Sequence, residues 1–339
     1  EGRVTVVRPA PATLPGEGPI LRELTIERHT ILPEPFLAVL RDPHFIGPEG
    51  TVVIERGAIV AESTWPRERL PGNRIWRATR LKGGRRLTGV SFTIACSGGG
   101  DYYHWLMESM PRLMALESLS ANDAHVNVNG PLRPWQRDGL VALGIDEAGV
   151  VALEADVLLP EFRYLPSLVG DPSPHPTALR WLRDRFLSGG GPSWPATLRF
   201  PARGKGPAIV NEAELRPFLD RHGFEVVILE DSSFLEQVRL FQGAEFVAGR
   251  HGAGLANLVF AAPSCRVLEV FQPTYVLAST YKIATCLGQS YGYLVEGRVQ
   301  GTLAATDNQS DIVVDPERFA KLVTMMLPNA ELEAGRMAS

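Results

Sequence analysis

The chain is poor in cysteine. Cys96, Cys265 and Cys286 are odd in number and far apart. They make neither a CxxC zinc pattern nor a disulfide framework, and a reducing compartment suits them best. Lysine is scarce (Lys82, Lys205, Lys282 and Lys321), so arginine carries nearly all the positive charge. Acidic residues outnumber basic ones, 38 to 34, for a formal net charge of -4. The basic excess of a dedicated nucleic-acid binder is therefore missing. No run of about 18 apolar residues exists, so no segment reads as a membrane-spanning helix. The sequence has no Walker A loop, no HExxH pair and no N-terminal GxGxxG. Repeats and low-complexity tracts are also lacking. What remains is 339 residues that are 45% hydrophobic and 21% charged. That composition excludes a disordered, collagen-like or coiled-coil chain, and the length suits about two domains. The sequence opens at Glu1 with no charged-then-apolar leader, which leaves a trimmed targeting segment open.

Local pattern divides the chain in two. The first forty-odd residues are rich in proline and lack periodicity. Thr51–Glu55 and Ala58–Glu62, around Arg56-Gly57, predict a β-hairpin. Leu87–Ala95 predicts a strand that runs into the flexible loop Cys96-Ser97-Gly98-Gly99-Gly100-Asp101. Tyr102 to Leu119 has helical spacing, with Leu106, Met110, Leu113 and Leu116 on one stripe. Pro111 should kink or break that helix. Further strand and helix candidates alternate through Pro134–Leu143, Val150–Leu153 and Thr177–Leu187 to complete the first half. The Gly- and Pro-rich stretch Ser188–Pro195 is the best linker. Beyond it, short apolar strands (Leu198–Phe200, Glu225–Leu229, Glu245–Ala248, Arg266–Phe271, Tyr291–Val295) alternate with helices (Glu212–His222, Phe234–Gln242, Ala253–Phe260, Tyr275–Leu287). That alternation implies parallel βαβ units. Capping boxes are expected at Asn211/Glu214 and Ser233/Glu236. Pro316–Leu327 is a last helix.

Four groups of residues could carry chemistry. In Phe246 to Asn257 an apolar strand ends and His251-Gly252-Ala253-Gly254 turns the chain straight into a helix. Glycines there let a ligand approach the backbone, and a helix N-terminus offers N–H groups to an anion. Gly252 and Gly254 could equally serve tight strand–helix packing. His104, Glu108 and Arg112 recur at i, i+4 and i+8, so a continuous helix would present all three on one face. An imidazole beside a carboxylate suits general base chemistry, and a surface salt-bridge row has the same spacing. Arg203 and Lys205, among glycines after the first strand of the second half, suit a diphosphate or form a solvated basic turn. Glu269, near a strand end, could accept ribose hydroxyls or be an exposed edge residue.

The two sharpest segments resemble one family. Tyr103-His104-Trp105-Leu106-Met107-Glu108-Ser109-Met110-Pro111-Arg112-Leu113 is similar to the YHWLxExxPRL segment of glycosyltransferase family 61. Asn211-Glu212, Gly223–Val227, Ser233–Val238 and His251-Gly252-Ala253-Gly254-Leu255-Ala256-Asn257 resemble that family's second half in order and spacing. The likeness continues from Tyr281 to Leu294. Two positions depart from the family pattern. The Arg-rich stretch before Asn211 is shorter, and Arg250 stands where a small residue or proline is usual.

The resemblance implies an α/β, GT-B-like chain: two Rossmann-like domains facing a cleft, with extra β-strands near the N-terminus. The expected divisions are an acceptor-side domain over 1–188, a nucleotide-sugar domain over 196–310, and a helix and tail over 311–339. The implied activity is inverting, metal-independent transfer of a sugar from a nucleotide-diphosphate donor to a saccharide acceptor, as in bacterial capsule or surface-polysaccharide synthesis. The expected base is Glu108, with His104 as neighbour and rival and Asp101 as the next candidate. Donor contacts are expected from Arg203, Lys205, His251, Gly252, Ala253, Gly254, Asn257 and Glu269, with Arg112 as a further substrate contact. No metal and no cofactor is expected beyond the donor itself, taken as UDP-linked. A cytoplasmic or membrane-peripheral location is expected, and a homo-oligomer is left open. The alternatives are a catalytically silent sugar- or nucleotide-binding member of the fold and a nucleotide-sugar epimerase. The missing GxGxxG and Ser-Tyr-x-x-x-Lys dyad disfavour the latter.

Overall fold

The computed structural model describes residues 3–5, 31–33, 36–47, 51–54, 58–60, 63, 85–118, 124–153, 157–167, 174–187, 197–202, 207–296, 298–299 and 310–327. The linker expected at Ser188–Pro195 lies outside them. The chain divides into two compact units. The first comprises Glu1–Val6, Thr30–Gly191 and Ser233–Val238, and the second comprises Val7–His29, Pro192–Ser232 and Arg239–Ser339.

The first unit is built on a mixed sheet. Its strands are β1 (Arg3–Thr5), β2 (Ile31–Pro33), β3 (Phe36–Arg41), β4 (His44–Ile46), β5 (Thr51–Ile54), β6 (Ala58–Ile59), β7 (Arg85–Thr93), β8 (His125–Asn129), β9 (Val150–Leu153) and β10 (Val157–Ser167). β1 and β2 pair with each other apart from the rest. The main sheet runs β6-β5-β4-β10-β7-β8-β9, with β3 also on β10. β10, β7, β8 and β9 are mutually parallel. β3, β4, β5 and β6 are antiparallel additions. The expected hairpin is present, with Val53 opposite Ile59. A parallel centre thus carries an antiparallel flank, and that flank lies over residues 36–59, where extra strands were expected near the N-terminus. Phe45, Val52, Leu87, Ala95 and Leu153 make a core that draws on both parts.

The second unit is a parallel α/β sheet. Its strands β11 (Thr197–Ala202), β12 (Phe224–Ile228), β13 (Ala244–Arg250), β14 (Arg266–Phe271) and β15 (Ser290–Val295) lie in the order β12-β11-β13-β14-β15. All four pairings are parallel. From β11 the chain goes first to one side and then to the other, so the topological switch falls between β11 and β13. In open α/β sheets that is where ligands bind, outside the carboxyl ends of the strands. β16 (Arg298–Val299) and β17 (Ile312–Val313) form a small antiparallel pair. Phe200, Phe246, Leu268 and Val270 meet Leu215, Leu219, Phe319 and Val323 in one core. The helix Pro316–Met326 thus packs as part of this unit; Asp315 caps it by accepting from the N–H groups of Glu317 and Arg318.

Of the two capping boxes, the one at Ser233/Glu236 forms: the Ser233 N–H donates to Glu236 Oε2 at 2.7 Å, and Glu236 N–H reaches Ser233 Oγ at 3.4 Å. The one at Asn211 does not form. Asn211 caps no helix N–H; its amide pairs with Val314, donating to its carbonyl at 2.8 Å and accepting from its N–H at 2.9 Å, and keeps a longer contact of 3.3 Å to Glu214 Oε2. A primary amide matches both groups of one peptide edge, which a helix N-terminus cannot offer. Asn211→Ala should therefore cost about 1–2 kcal/mol, seen as a lower urea midpoint. An unchanged midpoint would show that this pairing contributes nothing. The helix expected from Tyr275 starts at Ser279. Pro273 and a Gln272–Tyr275 turn occupy the intervening chain.

Candidate active site

Cys96–Gly100 leaves the carboxyl end of β7 and is sewn to β8. Ile94 and Ala95 both donate their N–H groups to Asn127 O. The Cys96 N–H donates to Asn129 Oδ1 at 3.1 Å, and Asn129 Nδ2 donates back to Cys96 O at 2.8 Å. Gln136 Nε2 holds Gly99 O at 3.0 Å. The backbone comes so close that a Cβ on Gly99 would lie 2.1 Å from Asn129 Oδ1. Gly98 has φ +82°, and a Cβ there would meet His104 Cδ2 at 2.7 Å. The imidazole therefore rests against bare backbone.

The helix that follows is not uniform. Tyr102–His104 is α-helical, Trp105–Ser109 is a π-turn closed by Met110 N–H to Trp105 O, and Met110–Ser118 is 3₁₀. The change falls where Pro111 has no N–H to give, and π-turns recur at functional sites. From Trp105 to Leu113 every residue is buried except Glu108, which keeps partial exposure. Its Oε1 lies 2.5 Å from His104 Nδ1, and the two side chains are 17% and 26% exposed.

Burial opposes protonation of His104, but the hydrogen bond and charge of Glu108, with Asp101 beyond, outweigh it and raise its pKa above the usual value. The pair's contribution to stability is accordingly complete below the unfolded value near ~6.5. It is lost as pH rises through the raised folded value. The Cys96 thiol is pushed up to about 12, chiefly by burial and then by the charge of Glu108. It stays protonated, with Ser109 Oγ at 3.1 Å.

Two expected residues stand elsewhere. Arg112 does not join the face of His104 and Glu108. The 3₁₀ turn shifts its phase, and its buried guanidinium donates through Nη1 to Ala95 O at 3.1 Å. It braces the strand end rather than meeting substrate. Asp101 is exposed, and its main role here is its backbone, which accepts from the Trp105 N–H at 2.9 Å.

In the second unit, His251 follows β13 at the switch point. Residues 251–254 keep partial exposure, while 255–260 are buried. The first turn of the 3₁₀ helix Ala253–Phe260 thus lies at the surface, with N–H groups that have no intrahelical partner. Gly252 has an extended backbone, φ 172°. Gly254 is needed for packing: a Cβ there would meet Leu229 Cδ1 at 2.7 Å. For this glycine the packing explanation holds. Asn257 is buried and donates to Gly254 O at 3.1 Å, so it locks the helix instead of facing a ligand. Arg250, the departure from the family pattern, ties Gln272 Oε1 at 3.1 Å and Ser310 O at 3.0 Å. Arg203 and Lys205 lie outside the described residues.

Glu269 is not at an exposed edge. It is fully buried, and both oxygens are engaged: His251 Nδ1 at 2.6 Å and Thr280 Oγ1 at 2.7 Å on Oε1, and Tyr291 OH at 2.5 Å on Oε2. Burial, then the charge and hydrogen bond of Glu269, raise Tyr291 well above its usual value, so it keeps its proton and donates. No carboxylate edge is left for a ribose. The sequence reading missed Tyr291, Thr280, Asn129 and Gln136. Polar residues among buried strands and helices carry no local signal of what they will meet. Among the described residues, no three His, Cys, Asp or Glu side chains are arranged to hold a metal ion. No described helix is long and apolar enough to cross a membrane.

Part of the chain that carries these groups is similar to a known family. Residues 102–268 match the family model of Glycosyltransferase 61. The match supports a glycosyltransferase 61 assignment and a transferase activity acting on a sugar donor and an acceptor. No curated protein matches the chain. The glycosyltransferase 61 segment begins two residues before His104 and ends one residue before Glu269. It includes the His104–Glu108 pair, the switch-point loop and Gly254 with its Leu229 contact. Tyr291 and Thr280, which close the network under His251, come from beyond it.

Proposed function

We propose that the chain is an inverting, metal-independent GT-B glycosyltransferase. It moves a sugar from a nucleotide-diphosphate donor, UDP-linked, to a saccharide acceptor in bacterial surface-polysaccharide or capsule synthesis. The reaction takes place in a reducing, cytoplasmic setting where its cysteines stay thiols. The observation that carries this reading is the partly exposed His104–Glu108 pair inside the glycosyltransferase 61 match.

The acceptor hydroxyl gives its proton to this pair as its oxygen bonds to the anomeric carbon. The bond from that carbon to the diphosphate breaks, and the leaving nucleoside diphosphate keeps the electron pair. In-line positioning and stabilisation of the leaving charge supply most of the rate. The diphosphate is assigned to His251 and the N–H groups of Ala253 and Gly254, with Arg203 and Lys205 as added cations. Glu108 Oε1 is already held by His104, and the imidazole is the more exposed partner. Both facts favour His104 Nε2 as the proton acceptor, with Glu108 holding the ring, over the reverse assignment expected from sequence.

The test is a donor-hydrolysis and transfer screen of UDP-, GDP- and CMP-sugars, read by mass spectrometry. Turnover of one donor with net inversion supports the proposal. Thermal stabilisation by a nucleotide sugar without turnover would support a silent binding protein instead. Activity should also survive excess EDTA. Full loss on chelation, restored by Mn²⁺, would mean the diphosphate is held by a metal.

A further inference from the structure

Three donors from three elements converge on one buried carboxylate. His251 Nδ1 comes from the loop after β13, Thr280 Oγ1 from the helix Ser279–Leu287, and Tyr291 OH from β15, all within 2.7 Å of Glu269. An interior carboxylate is costly to desolvate, and an apolar residue in its place is often as stabilising. Its presence therefore calls for a purpose besides folding. The one donor of the three that reaches the surface is His251, whose side chain is 12% exposed. Its ring is stacked on Phe271 at 4.9 Å, with Tyr275 tilted against it at 5.5 Å. With Nδ1 tied inward and the ring confined, Nε2 is the nitrogen left to meet a ligand.

We infer that Glu269, braced by Tyr291 and Thr280, is the positioning carboxylate of the diphosphate site: it accepts the Nδ1–H of His251 and fixes the ring, so that when the ring takes a second proton beside the bound anion its Nε2–H donates to a phosphate oxygen. This rests on the reading of the His251 loop as that site. The bracing matters because a carboxylate with one free oxygen could rotate and release the ring. Tyr291 takes Oε2 and prevents that. Partners of this kind, placed behind a ligand-binding histidine, fix its tautomer and orientation.

Two readouts test it. In the ligand-free protein, a long-range ¹H–¹⁵N spectrum reports the tautomer directly. Wild type should show His251 as the Nδ1–H form when neutral, and Glu269→Gln, whose amide can donate to Nδ1, should lose that preference. Calorimetric affinity for UDP should fall about 10–100-fold in Glu269→Gln. Tyr291→Phe, which keeps the shape and the carboxylate, should show a smaller loss and a tautomer still mostly Nδ1–H. Should Glu269→Gln not fold, Tyr291→Phe alone decides, since unchanged UDP affinity there overturns the bracing role. An Nε2–H tautomer in wild type overturns the inference. So does Glu269→Gln binding UDP as tightly as wild type. If wild type itself binds no nucleoside diphosphate, the diphosphate reading fails instead, whatever the spectrum shows.

Discussion

Glu108→Gln should cut turnover by about 10²–10⁴-fold while leaving UDP affinity near normal. The amide is nearly isosteric with the carboxylate, so the helix and its packing survive. What changes is the partner of His104 Nδ1, which now faces either an amide donor or a neutral acceptor. The imidazole loses its enforced tautomer and the charge that stabilises its protonated form. Burial, the largest influence on His104, is then opposed only by the charge of Asp101 and lowers its pKa, where Glu108 had raised it. The rate should rise with pH through an acid limb above His104's usual value in wild type. In Glu108→Gln the limb should move to lower pH. His104→Ala should lose at least as much turnover. Steady-state profiles of both variants with the identified donor would settle the matter. Wild-type turnover in both would move the base away from this pair, with Asp101 next in line. If Glu108→Gln alone were dead and His104→Ala active, Glu108 itself would be the base.

A second large effect should follow from Gly99→Ala. The added methyl would sit 2.1 Å from Asn129 Oδ1 and 2.8 Å from Ser109 Oγ. Neither can yield cheaply. Asn129 makes the two hydrogen bonds that hold Cys96, and Ser109 sits against the Cys96 thiol on the next turn. Overpacking of this kind costs about 3 kcal/mol. The same displacement would carry Gly98 away from the His104 ring, so turnover should fall with stability. Gly100→Ala is the control, because nothing lies within 4 Å of the Cβ it would gain. Equal urea unfolding curves for the two variants would show that the loop is looser than its hydrogen bonds indicate.

Much of the second unit can be read locally. Short apolar strands and glycine at helix ends specify each βαβ step within a few residues. Gly288, left-handed at φ +75°, closes the helix Ser279–Leu287 as such a residue should. The first unit resists that reading. β10 contains Pro160 and Pro166, and β3 lies in a stretch without clear alternation, yet they pair along six residues. Partners so distant in sequence are chosen by packing rather than by strand propensity.

The site divides in the same way. Spacing alone determined that His104 and Glu108 meet, because four residues of helix bring their side chains together whether the turn is α or π. The order strand, glycines, helix likewise determined that His251 stands at a βα turn. Tertiary structure decided the rest. Arg112 turns to Ala95 because the helix changes pitch at Pro111. Gly254 is bare because Leu229 presses on it. Asn211 pairs its amide with the backbone of Val314, about a hundred residues away, rather than with a helix N–H. Glu269 was legible as a carboxylate near a strand end. That its two oxygens would be claimed by Tyr291, Thr280 and His251 was not, since each donor comes from a different element and only the folded sheet brings them together.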